Sequence, residues 1–196
     1  MRTRNITAAL ALLLGSGPVA AQVNCGDVIT DDRVMTTDLV CAAHDPAITI
    51  DGGSLDMAGH RLEGCLGNGI LLIGAGAVRN GSVFDCGHGF VLQGGGGHRL
   101  LNVVARGNSG DGIRAVTGEN QLTNVTAINN TGDGFDIGSS RNKLTRCASV
   151  NNMDNGFVIV GSENKLSENE STKNTLDGFH VTGDKNTFKH NLADNN

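Results

Sequence analysis

Residues 111–196 repeat one motif in four rows, which read DGIRAVTGENQLTNVTAINNTG from Asp111, DGFDIGSSRNKLTRCASVNNMD from Asp133, NGFVIVGSENKLSENESTKNTL from Asn155 and DGFHVTGDKNTFKHNLADNN from Asp177. The rows align without gaps at a spacing of 22 residues. Each begins with Asp or Asn followed by Gly, continues with Ile or Phe, and carries Asn in matching columns. Self-similarity at a fixed period of this length is typical of a repeat architecture.

The apolar residues within each row predict short β-strands. They alternate over four or five positions and are then interrupted by Gly, Asn or Asp, a pattern of strands and turns rather than of a helix. One row cannot bury its own apolar face, so we expect the rows to stack, each strand pairing in parallel with its copy about 4.8 Å away. This predicts interior columns of Phe and Leu, and ladders of Asn at the corners. The sequence therefore predicts an all-β, single-stranded parallel β-helix of about seven coils, each of about 22 residues.

The coil extends upstream of the four rows. The segments from Gly69 and Gly89 match the strand position of two earlier rows, and the run of Gly at 94–97 can accommodate one additional residue. We assign residues 46–196 to the β-helix and residues 22–45 to an N-terminal cap, because the open end of a solenoid needs covering.

The five cysteines predict two disulfides. Cys25 and Cys41 close a short loop in the cap, and joining them would stabilise the protein by about 3 kcal/mol. Cys65 and Cys86 occupy nearly equivalent places in neighbouring coils, which would bring them within bridging distance. Cys147 remains as a buried thiol.

Residues 1–21 have the features of a secretory signal peptide. Arg2 and Arg4 precede an apolar run at 6–14, and small residues at 19–21 suit cleavage. The run is too short to span a bilayer; the alternative is an amphipathic anchor. We expect a secreted or periplasmic protein without a membrane span. Without Arg2 and Arg4, 13 basic residues face 20 acidic ones, a net charge of −7. No basic cluster is present, so nucleic acid is not an expected partner.

The repeat rows and the stretch ITIDGGSLDMAGHRLEGC at 48–65 resemble the right-handed parallel β-helix repeat proteins of the pectate-lyase-like superfamily. The resemblance covers nearly all of residues 45–196 and implies the right-handed sense, in line with the preference of parallel β crossovers. The superfamily includes polysaccharide lyases, hydrolases, uronan epimerases and periplasmic proteins of no known activity. The resemblance is therefore specific for the fold and weak for the function.

One turn column, Asp111, Asp133, Asn155 and Asp177, carries carboxylates and contains no basic residue that would compensate their charge. Asp111 and Asp133 should lie about 5 Å apart, and Asp136 and Asp154 are close to them along the chain. Ca²⁺ takes several oxygen ligands and would remove the repulsion between the carboxylates, so these four residues form a candidate calcium site. Calcium is the one cofactor that the sequence suggests. The alternative is turn chemistry, in which Asp-Gly and Asn-Gly make good corners.

The resemblance also implies a catalytic hypothesis. Pectate lyases use carboxylate-bound Ca²⁺ and a basic residue, often Arg, to remove the proton next to a uronate. Arg114, Asp136 and His180 share one strand column here and are the catalytic candidates. The corners are short throughout, so no long loops are expected to form the sides of a cleft. Nearly all Phe residues are assigned to the interior, so no aromatic side chain is an obvious candidate for stacking on a sugar ring.

Three functions remain open. The first is a scaffold or binding module for extracellular polysaccharide. The second is a small Ca²⁺-dependent polysaccharide lyase or epimerase. The third is a structural or adhesive protein that associates through the C-terminal coil, where the sequence stops in register at Asn196.

Overall fold

A computed structural model describes residues 22–196; the predicted signal peptide at 1–21 lies outside the described residues. Regular structure in the described part consists of 21 short strands that pair in parallel with the copy one turn away. Across residues 22–196 no helix could span a membrane. The strands wind into a coil with three faces.

The first face contains one strand from each of eight turns. These strands are β1 (Val28–Ile29), β4 (Ile48–Ile50), β7 (Ile70–Leu72), β9 (Phe90–Leu92), β11 (Ile113–Ala115), β13 (Phe135–Ile137), β16 (Phe157–Val160) and β19 (Phe179–Thr182).

The second and third faces form one continuous sheet. The second face contains β2 (Asp32–Val34), β5 (Ser54–Asp56), β14 (Lys143–Thr145), β17 (Lys165–Ser167) and β20 (Thr187–Lys189). The third contains β3 (Leu39–Val40), β6 (Arg61–Glu63), β15 (Ala148–Val150), β18 (Glu170–Thr172) and β21 (Leu192–Asp194). Three longer strands, β8 (Ala77–Phe84), β10 (Arg99–Arg106) and β12 (Gln121–Ile128), bend from the second face into the third.

The register agrees with the predicted columns. Ile113 pairs with Phe135, which pairs with Phe157, which pairs with Phe179. The coil has eight turns rather than about seven, because strands β1 to β3 of the expected cap pair with β4 to β6. The segment 22–45 therefore covers the end of the coil by forming its first turn.

The interior is built from stacked identical side chains. The rings of Phe135 and Phe157 stack with centroids 4.5 Å apart, and Phe157 and Phe179 with centroids 4.8 Å apart. A Leu column, Leu100, Leu122, Leu144 and Leu166, lies fully buried on the inner side of the second face. Close stacking of identical shapes fixes the register, since a one-residue slip would turn every side chain to the opposite side.

Buried Asn ladders satisfy the corner backbone. The longest contains Asn108, Asn130, Asn152, Asn174 and Asn196. The backbone N–H of Asn130 donates to Oδ1 of Asn152 at 2.9 Å, and the same geometry recurs in each turn. Buried amides without these partners would destabilise the fold, so the predicted structural role of the Asn columns is confirmed.

Both predicted disulfides are present, Cys25 with Cys41 and Cys65 with Cys86, and Cys147 is a buried free thiol. At the other end of the coil, association through the C-terminal turn stays a prediction.

Candidate functional site

The candidate site lies where the corner before the first face meets its outward side. Alternation along β11 buries Ile113 and Ala115 and points Arg114 outward. Arg114 pairs in register with Asp136 of β13. The corner column that precedes these strands contains His88, Asp111 and, one turn further, Asp133.

Four of these side chains form one polar network. Nε of Arg114 lies 3.7 Å from Oδ2 of Asp136, and its Nη1 lies 3.4 Å from Nε2 of His88. Nδ1 of His88 lies 3.3 Å from Oδ2 of Asp111. The Arg114 side chain remains 45% exposed, so a guanidinium held between acidic and imidazole groups still faces solvent.

A shallow groove of about 390 Å³ adjoins this network, lined by Asn68, His88, Val91, Gln93, Arg114 and Val116. The lining combines a cation, an imidazole, two amides and two apolar side chains. An open groove of this kind can contact one side of an extended chain. It is less suited to a small molecule, because small molecules are normally buried over most of their surface.

His88 is a residue of the candidate site that the sequence interpretation did not name. It precedes Gly89 as Asp111 precedes Gly112, but the spacing to the next row is 23 residues instead of 22. Followed one row upstream, the Asp column therefore contains an imidazole, His88, whose Nδ1 accepts the backbone N–H of Asp111 at 2.9 Å. The alignment of Gly89 with Gly112 places His88 in the column of Asp111, so the sequence does contain a signal for this residue.

The Asp column also has a structural use. Oδ1 of Asp111 accepts the backbone N–H of Asp133 at 2.9 Å, and Oδ1 of Asp133 accepts that of Asn155 at 2.9 Å. Oδ1 of Asn155 likewise accepts the backbone N–H of Asp177 at 3.1 Å. Each side chain caps the backbone of the following turn rather than its own, so this column resembles the Asn ladders and has a structural role different from the predicted turn chemistry.

Two carboxylates of the site have a raised pKa. Burial, reinforced by the charges of Asp154 and Asp111, raises the pKa of Asp133 to about 6. Burial and the charge of Asp111 also raise the pKa of Asp136, against the opposing effect of Arg114. A carboxyl group that titrates near neutral pH can accept or donate a proton under physiological conditions, which is a common property of functional sites.

The raised pKa of Asp133 predicts that Asp133→Asn stabilises the protein in a pH-dependent way. The folded-state value of about 6 exceeds the ordinary 3.8, so ionised Asp133 destabilises the fold as pH rises through that window. Asn keeps the Oδ1 acceptor that Asn155 requires. We expect no gain below about pH 4 and a gain of about 2 kcal/mol above pH 7 in urea denaturation.

Asp177→Asn is the matched control, because Asp177 is the exposed member of the same column. It should change the free energy of unfolding little at any pH. An Asp133→Asn gain that is equal at pH 4 and pH 8 would show that burial of the Asp133 charge is not its origin.

The remaining predicted site residues lie outside the network. His180 shares the column of Arg114 and Asp136, but Val158 separates it from Asp136, and its Nδ1 lies 3.2 Å from Oδ2 of Asp177. Asp154 accepts a hydrogen bond from Nδ2 of Asn155 at 2.9 Å. The structure therefore brings together Arg114 and Asp136 of the three catalytic candidates and leaves out His180.

The calcium hypothesis receives no assembled ligand set. Among residues 22–196, no group of three or more His, Cys, Asp or Glu side chains is placed to hold a metal ion. The site at Asp111, Asp133, Asp136 and Asp154 stays a prediction from the sequence.

Comparisons with known proteins agree with the architecture. The model of a family described as the right handed beta helix region matches residues 46–196. A solved structure of the periplasmic alginate epimerase AlgG is similar with a TM-score of 0.56 at 11% identity, over 85% of this chain and 61% of that one. The catalytic domain of a GH87 α-1,3-glucanase, in complex with tetrasaccharides, gives a TM-score of 0.55 at 16% identity, over 88% of this chain and 40% of that one.

This chain thus spans 61% and 40% of the length of those two structures. At such low identity the likeness concerns the fold alone. A search of the curated proteins gave no match.

Proposed function

This chain belongs to the right-handed β-helix family, and on that premise we propose that it is an exported module that binds an acidic polysaccharide in the groove beside Arg114. The observation that carries the proposal is the exposed Arg114 guanidinium, positioned by His88 and Asp136 at the edge of an open groove. Two disulfides support export, because disulfides persist in oxidising compartments.

The chemistry of the groove favours a uronate. A planar guanidinium presents paired N–H donors that match a carboxylate, which makes Arg more selective for such groups than Lys. Asn68 and Gln93 add amide donors and acceptors suited to sugar hydroxyls. Val116, which is exposed, offers apolar surface to the C–H side of a sugar ring. The fold neighbours that act on polysaccharides support a carbohydrate ligand.

Arg114→Ala should weaken the binding of a short oligogalacturonate by about tenfold, or about 1.4 kcal/mol, which is within the range of a charge-assisted hydrogen bond. Isothermal titration calorimetry of the purified protein measures this change. Arg106→Ala is the control, because Arg106 is exposed on the third face and should leave the affinity unchanged. Equal affinities for the native protein and the Arg114→Ala variant, or no binding by the native protein, would refute the proposal.

A second candidate function rests on the raised pKa of Asp133 and Asp136. The raised pKa makes Asp136 a better proton acceptor, and beside Arg114 it could remove the proton next to the carboxylate of a bound uronate, as in a lyase or an epimerase. Incubation of the protein with polygalacturonate or alginate in deuterium oxide distinguishes catalysis from binding. An enzyme would leave unsaturated uronates or place deuterium at the reacting carbon; a binding module would leave the polymer unchanged.

A further inference from the structure

We propose that the second face is a separate binding surface for an anionic polysaccharide chain. The residues 22–196 carry a net charge of −7, yet the outward positions of this face from β10 onward contain cations and no acid. In chain order these positions are Arg99, Leu101, Gln121, Thr123, Lys143, Thr145, Lys165, Ser167, Thr187 and Lys189.

Two of the lysines occupy equivalent positions on neighbouring strands of the second face. Lys143 and Lys165 pair in register, which places their Cα atoms about 4.8 Å apart. Among the described residues, neither makes an ion pair with an acidic side chain. Like charges directly opposite each other destabilise a sheet, and the Leu144 and Leu166 stack prevents the strands from slipping apart. An anionic ligand would remove this repulsion.

A groove of about 370 Å³ runs along the corner next to these lysines. Its charged lining consists of Glu119, Arg141, Lys143, Glu163 and Lys165. Glu119 forms an ion pair with Arg141, in which Oε1 of Glu119 lies 2.9 Å from Nη2 of Arg141. This leaves Glu163 as the acidic side chain of the lining that can compensate the two lysines. The groove therefore has a net positive charge, although residues 22–196 as a whole have a net negative charge.

The same corner continues toward the N-terminal end of the coil. A hollow lined by Gly94, Gly95, Gly96, Thr117, Gly118, Glu119 and Arg141 follows the first groove. Next to it, Arg99 and Asp32 line a further hollow together with Gly76 and Gly97. Successive turns thus offer an open track parallel to the coil axis, with cations on several turns, and an extended polymer can follow such a track.

The residue types indicate the ligand class. Lysine is a flexible point charge, so it recognises anionic charge with little demand on geometry. Gln121, Thr123, Thr145 and Ser167 lie beside the cations and can exchange hydrogen bonds with sugar hydroxyls. A few cations on an acidic protein are a poor match for a nucleic acid, whose binding depends on neutralising many phosphates. An anionic polysaccharide, carboxylated or sulfated, fits this combination.

Binding to dextran sulfate, polygalacturonate and uncharged dextran tests the proposal by affinity electrophoresis. The native protein should be retarded by one or both charged polymers and not by dextran; the stronger of the two identifies sulfate or carboxylate as the preferred group. Lys143→Glu with Lys165→Glu should weaken that interaction by at least about tenfold, as expected for a reversed pair of binding charges. Arg106→Glu with Lys173→Glu changes the net charge equally on other parts of the surface and should leave retardation within about twofold.

The Arg114→Ala variant separates this surface from the groove on the first face, since it should keep the part of the retardation that Lys143→Glu with Lys165→Glu removes. Lys143→Gln with Lys165→Gln guards against misfolding: it should raise the melting temperature, because it removes the repulsion, and still lose polymer binding. Retardation of the Lys143→Glu, Lys165→Glu protein equal to that of the native protein would overturn the proposal. Equal retardation by dextran and dextran sulfate, or tighter binding of a DNA oligonucleotide than of either charged polymer, would also overturn it.

Discussion

Gly134→Ala is expected to destabilise the protein by about 3 kcal/mol, a large fraction of the stability of a typical domain. Gly134 is buried at the start of the first face. An added Cβ would collide with Oγ of Ser149 and would lie 2.7 Å from the carbonyl oxygen of Gly156 and 2.9 Å from Nδ2 of Asn152. These neighbours belong to three different stacked columns, so none can move without disturbing the register.

Gly138→Ala is the matched control in the same turn. Gly138 is exposed, and the nearest atom to an added Cβ is the carbonyl oxygen of Ala115 at 3.8 Å. Its alanine variant should change the free energy of unfolding by less than about 1 kcal/mol. Urea denaturation of the two variants measures the difference; equal stabilities would contradict the close packing of Gly134 against the Ser column.

Asn152→Asp should destabilise the protein at pH 7 by about 3 to 5 kcal/mol, the range for an uncompensated buried charge. Asn152 is 1% exposed. Its Nδ2 donates to Oδ1 of Asn174 at 2.9 Å and to Oγ of Ser149 at 2.9 Å. An aspartate would place a charged acceptor opposite the Asn174 acceptor. Burial should raise the pKa of the new carboxyl group, so the destabilisation should decrease as pH falls and the carboxyl gains a proton to donate.

Asn151→Asp controls for the adjacent position. Asn151 points outward and is exposed, and its backbone has a φ of 54°, a conformation that Asp also tolerates. Thermal unfolding at pH 7 and pH 4 should show a small, nearly constant effect for Asn151→Asp and a large, pH-dependent one for Asn152→Asp. Comparable effects at the two positions would contradict the ladder account.

Much of the fold could be predicted from the sequence because, in a stacked coil, residues one repeat apart in the sequence are neighbours in space. The columns that begin with Phe135 and Asn130 identify interior and corner directly, and the position of Cys65 relative to Cys86 identifies a disulfide. The first turn escaped notice because residues 22–45 lack the Asp-Gly-Phe row. Its short strands can be recognised only through their pairing with β4 to β6.

The site was harder to predict, for physical reasons. His88 shares the column of Asp111 when Gly89 is aligned with Gly112, but its row lies upstream of the four regular rows and has His where those rows have Asp or Asn. His180 occupies the predicted column, but contact also requires adjacent turns, and Val158 lies between it and Asp136. Charge effects such as the raised pKa of Asp133 depend on burial, which a column assignment does not give.

Binding of an acidic polysaccharide to the outward sides of the first two faces can be mapped residue by residue. The measurement is a titration of the isotopically labelled protein with an oligogalacturonate, followed through the backbone amide resonances by NMR. We predict shifts around Arg114 and Asp136, a second and separate set around Lys143 and Lys165, and no shifts on the third face around Val150. Shifts confined to the third face, or none at a saturating concentration of the oligomer, would contradict the account.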